Sequence, residues 1–170
     1  MDRLLAAAAA CMITIFGCPA AFAGAAPAEP VPSRDEVRAA IAVYDRAPLS
    51  EPGAAAGRIV LDYAERGPGV LVISGEALPW LGGNVDADVS ALLTGAWIVG
   101  AVHWQIDGGE LGQACTAFEQ VFHVYGLLQD ADPNVRVKEV YRLSRLKARG
   151  RLPATCAEID AQASREGAHG

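Results

Sequence analysis

The chain has 170 residues, of which 52% are hydrophobic, 20% charged and 6% aromatic. This fits one globular domain and excludes a chain too polar to bury a core. Fourteen Lys+Arg against 20 Asp+Glu leave a formal net charge of −6, which argues against nucleic acid as a partner. Arg outnumbers Lys 12 to 2 and Ala and Gly are abundant, a bias expected of a GC-rich bacterial genome.

The N-terminus places Arg3 before an uncharged apolar run over residues 4–16 and a small-x-small site, Ala21-Phe22-Ala23. These are the parts of a secretory signal peptide, so residues 1–23 are expected to be removed and the mature chain to start at Gly24. Periplasmic or secreted localisation follows. Ile15-Phe16-Gly17-Cys18 is a degenerate form of a lipoprotein box, which gives the alternative of a lipid-anchored envelope protein. Cys11 and Cys18 lie in the signal, leaving Cys115 and Cys156 in the mature chain. Two thiols in an oxidising compartment are expected to form a disulfide, and closing a loop of about 40 residues stabilises by roughly 4 kcal/mol in the chain-entropy model. Neither cysteine sits in a C-x-x-C pair, so no metal and no cofactor is expected.

Residues 24–32 contain three prolines and read as an extended linker. The helical domain is expected over residues 33–165. Ser33-x-x-Glu36 is a capping box, and Val37, Ala40, Ile41 and Tyr44 then repeat at helical spacing up to Pro48. A second helix is expected over residues 54–66, stopped by Gly67-Pro68. Residues 69–75, GVLVISG, are ambiguous; with no second strand to pair with, a short helix or an extended core-filling segment is favoured. Residues 78–83 follow as a turn with Trp80 as its anchor.

Asp86 or Asp88 is expected to cap a central helix ending near Ile106. Its 18 residues from Val89 carry no charge, enough in length for a membrane span. Acidic flanks at Asp88 and Asp107, and the polar groups of Ser90, Thr94, His103 and Gln105, favour a buried bundle helix and no membrane span in the mature chain. Ala96 and Gly100 form a small-residue strip for close helix approach, and Trp97 has core spacing with Trp104. Burial therefore outweighs sugar stacking by the three tryptophans.

The most regular apolar pattern runs over residues 110–129. Pro133 is expected at or near the first position of the next helix, which Gly150 terminates. Thr155-x-x-Glu158 is expected to cap a short last helix carrying Cys156, with the pattern fading from Ala163 and residues 166–170 as a frayed tail. The fold class is therefore all-α, a bundle of five to six helices with a nearly all-apolar central helix and one disulfide.

Three constellations bear on function. His103 and Asp107 are four residues apart, as are Glu119 and His123, and an acid beside an imidazole is the equipment of acid–base chemistry. If their helices are antiparallel neighbours the four groups converge; otherwise each pair is an ordinary surface or capping contact. Asn84-x-Asp86-x-Asp88-x-Ser90 imitates half a calcium loop, but Val89 and Gly95 stand where such a loop needs glycine and a bidentate acid, so helix capping accounts for it better. Residues 131–151 carry seven basic groups against Asp132 and Glu139, and Lys138, Arg142, Arg145 and Arg149 line one helix face, with Val137, Val140, Leu143 and Leu146 towards the core. That stripe either binds an anionic protein or envelope component or pairs with the domain's own acids. No serine elbow, phosphate loop or zincin motif occurs. The leading expectation is a non-catalytic binding or scaffolding module; the alternatives are a small periplasmic hydrolase using the histidines and a lipid-anchored envelope protein.

Overall fold

A computed structural model describes residues 30–69, 71, 73–108 and 112–167. The expected signal peptide with cleavage after Ala23, the alternative of lipidation at Cys18, most of the expected linker and residues 168–170 lie outside them. Among the described residues the protein is an all-α bundle with no strands: α1 (Arg34–Arg46), α2 (Glu51–Arg66), α3 (Ala87–Asp107), α4 (Gln113–Ala131), α5 (Lys138–Ala148) and α6 (Leu152–Gly167).

Helix α1 starts at the expected capping box. Glu36 N–H donates to Ser33 Oγ at 3.3 Å, and Ser33 N–H donates to the Glu36 carboxylate at 2.7 Å. The stripe of Val37, Ala40, Ile41 and Tyr44 is buried. Helix α2 begins at Glu51, ahead of the expected start at Ala54, because Ser50 caps it (Gly53 N–H to Ser50 Oγ, 3.1 Å) and Pro52 is accepted in a first turn. Gly53 is demanded by the α1–α2 turn: a Cβ there would overlap the Ala47 carbonyl oxygen.

Between α2 and α3 the chain makes two 3₁₀ turns, Gly75–Ala77 and Pro79–Gly82. Leu71 and Ile73 pack against the core without forming a strand, in line with the core-filling reading. Trp80 is buried, and its indole N–H donates to Thr94 Oγ1 at 3.0 Å, which fixes this segment to α3.

Asp86 caps α3, accepting from Asp88 N–H at 2.9 Å and Val89 N–H at 3.2 Å. This spends the carboxylate of the calcium-loop look-alike on helix capping. Helix α3 is long and apolar enough to cross a membrane by length and composition; it packs on α4, α2 and α1, but only 39% of its most apolar stretch is buried, so it is less enclosed than expected. Trp97 is buried, as expected. Gly100 lets α4 approach to backbone contact: a Cβ there would lie 2.6 Å from Ala117 Cα. Gly108, at φ +70°, ends the helix in a conformation that favours glycine.

The first turn of α4 is capped from a distance. Ala114 N–H donates to Asp160 Oδ1 of α6 at 2.9 Å, and a Cβ on Gly112 would overlap that same carboxylate. Cys115 and Cys156 form the expected disulfide, with Cα atoms 5.3 Å apart, and it joins α4 to α6.

Three boundaries are corrected. Pro133 does not open α5; Asp132 makes an Asx turn instead, accepting from Asn134 N–H at 2.9 Å, and the helix begins at Lys138. Thr155 lies inside α6 and does not cap it, since the buried stripe of Leu152, Cys156 and Ile159 draws in an extra turn that Pro153 tolerates. That helix is also not short: it continues past Ala163 to Gly167, so residues 166 and 167 of the expected tail are helical.

Candidate functional site

The basic face of α5 is presented as the spacing requires. Val137, Val140 and Leu143 are buried and Leu146 is partly so, while Lys138, Arg142, Arg145 and Arg149 are exposed. None of these four cations has a carboxylate partner among the described residues, although the chain is acidic overall. The α5 cation that does pair is Lys147, with Glu119 of α4. Arg145 lies 5.9 Å from the ring centre of Tyr141, which is 59% exposed, so the face offers an aromatic among its charges. Beside it, a hollow of about 530 Å³ is lined by Tyr125, Gln129, Arg136, Val137, Lys138 and Tyr141. Tyr125 also holds the entry to α5, its hydroxyl accepting from Val137 N–H at 3.0 Å.

The histidine pairs are arranged differently from their spacing. His103 Nε2 is 3.5 Å from Asp107 Oδ2 on the same helix. Asp107 is occupied by Arg38 of α1, whose Nε and Nη2 lie 2.8 and 2.7 Å from Oδ1. That hydrogen bond holds the Asp107 carboxyl below its ordinary range, which weakens it as a base. Glu119 is turned towards Lys147, and His123 Nε2 lies 3.1 Å from the Asp45 carbonyl oxygen at the end of α1.

Asp45 is what the two imidazoles share. Burial pushes its carboxyl above the usual range, while His103, His123 and Gln120 each oppose that shift. Asp45 Oδ1 and Gln120 Nε2 are both buried and do not reach hydrogen-bonding geometry with a partner. Next to them, burial raises the Tyr44 phenol to about 12. No spacing rule connects Asp45 to residues on α3 and α4, and sequence reasoning missed it. Among the described residues no group of three or more His, Cys, Asp or Glu side chains is placed to hold a metal ion.

Comparison with known proteins returned no match: no family model, no curated protein and no solved structure is similar to this chain.

Proposed function

We propose that the chain is an exported bacterial binding or scaffolding module that docks onto an anionic protein or envelope component through α5. The observation that carries this reading is that Lys138, Arg142, Arg145 and Arg149 stand exposed on one face without a carboxylate partner among the described residues, in a chain with net charge −6. Surface cations left unpaired by their own domain are free to meet an external anion at little desolvation cost. The Cys115–Cys156 bridge supports residence outside the cytoplasm, where such bonds persist.

The test is retention of the oxidised protein on immobilised poly-glutamate and its co-sedimentation with phosphatidylglycerol vesicles. Retention on the polypeptide points to an acidic protein and sedimentation with the vesicles to an envelope surface. In either arm Arg142→Glu with Arg145→Glu should abolish capture, and raised salt should weaken it. Equal behaviour of wild type and double mutant in both arms would reject the docking face. Mass spectrometry of the mature N-terminus separates release from anchoring: Gly24 supports a free module, and lipidated Cys18 a membrane-tethered one.

A further inference from the structure

Helix α3 is apolar on nearly every side, but only 39% of its most apolar stretch is buried. The uncovered part is not a smooth patch. Two hollows, of about 420 and 520 Å³, flank its N-terminal half, each within the range of small-molecule sites. They share Leu61, Ala91 and Gly95. At Gly95 a Cβ would meet nothing within 4 Å, so the missing side chain leaves the floor open between them. Leu92, on the wall of the first hollow, is 37% exposed. Apolar side chains therefore border a concave floor that stays open to solvent.

The rim indicates what fills it. Among the described residues, the only charged ones lining either hollow are Arg58 of α2 and Asp88 of α3, both in the first. They form no ion pair with each other, and neither side chain has another partner among the described residues. One positive and one negative charge beside an apolar furrow complement a zwitterion joined to a hydrocarbon chain. A purely anionic head would gain Arg58 but be repelled by Asp88, and a purely cationic one the reverse.

We propose that this furrow binds a single-chain zwitterionic amphiphile, its chain over Ala91 and Gly95, its phosphate at Arg58 and its ammonium at Asp88. The site is separate from the α5 face and does not depend on it. Ala91 and Gly95 leave the floor shared by the hollows low, while Leu61 stands beside it, an arrangement suited to one slender chain rather than a branched or bulky apolar group.

Calorimetric titration of the oxidised full chain with lysophosphatidylethanolamine, below its micelle concentration, tests this. Saturable binding is expected, with lysophosphatidylglycerol weaker by roughly threefold and the chainless headgroup glycerophosphoethanolamine silent. Gly95→Leu should fill the floor and weaken binding by roughly tenfold or more, with an unchanged circular dichroism spectrum. Leu92→Glu, at an exposed position, should do the same and serves if the first variant misfolds. Absence of saturable binding would overturn the proposal, as would unchanged affinity in both variants. A concentration-dependent dimer in sedimentation that Gly95→Leu disrupts would also overturn it, since a second copy would then be the occupant.

Discussion

The α3–α4 pair and the α5–α6 pair are both helical, but they are held by different means. Where α3 meets α4, backbones nearly touch at Gly100 and Ala117, and Leu93, Trp97, Phe118 and Val121 are fully or almost fully buried. Burial of that kind is non-directional and stabilises by roughly 1.5–3 kcal/mol per large side chain. Helices α5 and α6 contribute fewer buried side chains of their own and are fastened by particular bonds: the disulfide, the Asp160 cap on α4 and the Tyr125 hydroxyl at the entry to α5. The centre is secured by area, the periphery by a few points. A peripheral unit held at points can present one whole face outward, which is where the unpaired cations of α5 stand.

The largest effect should come from crowding the centre. Gly100→Val pushes a branched side chain into the Ala117 backbone, with no flexible neighbour to yield. Overpacking costs about 1–3 kcal/mol where a core can adjust and more where backbone must move, so loss of the cooperative thermal transition is expected. A melting temperature near the wild-type value would show that α3 and α4 are less closely apposed.

Next comes the periphery. Replacing Cys115 and Cys156 together by Ala should lower stability by about 2–4 kcal/mol in denaturant unfolding. A smaller loss belongs to Asp160→Ala, about 1 kcal/mol for a removed cap, lessened because burial already raises that carboxyl and makes its charged form costly. If this change cost as much as breaking the disulfide, the ranking of the fastenings would be wrong.

Asp45 gives a pH-dependent comparison with a definite sign. Its folded-state carboxyl sits above the unfolded value, so the folded state favours its protonated form. The penalty is absent below the unfolded pKa and grows as pH rises through the folded pKa. Asp45→Asn should therefore match wild type in acid and gain on it as pH rises through the carboxylate range, as read by paired denaturation curves. Constant difference across that range would remove the buried-carboxylate reading of the α1–α3–α4 junction. The smallest effect on stability is expected of Arg142→Glu with Arg145→Glu, within about 0.5 kcal/mol per site for exposed positions without a carboxylate partner among the described residues.

Features decided by neighbouring residues were legible in the sequence: the Ser33 capping box, Asp86 at the start of α3, the apolar stripe of α5 and the Gly100 contact strip. The disulfide was legible for another reason, since Cys115 and Cys156 are the two cysteines outside the expected signal peptide. The start of α5 was not, because Asp132 offers a local turn that competes with Pro133 as a helix opener. The start of α6 was missed because burial of Leu152 outweighs the capping pattern at Thr155. Distant partnerships were invisible throughout. Asp160 reaches Ala114 across 46 residues, and Asp45 meets His123 across 78. The candidate histidines were found by spacing, but the buried Asp45 near them was not, and Asp107 and Glu119 turned out to face Arg38 and Lys147.

Hydrogen exchange on the oxidised and reduced protein, followed by mass spectrometry, tests the division between centre and periphery most directly. Reduction should raise exchange in α6 and in the first turn of α4, which loses its Asp160 partner, while α1, α3 and the rest of α4 keep their protection. Equal acceleration along the whole chain, or none anywhere, would contradict a packed centre to which α5 and α6 are fastened at a few points.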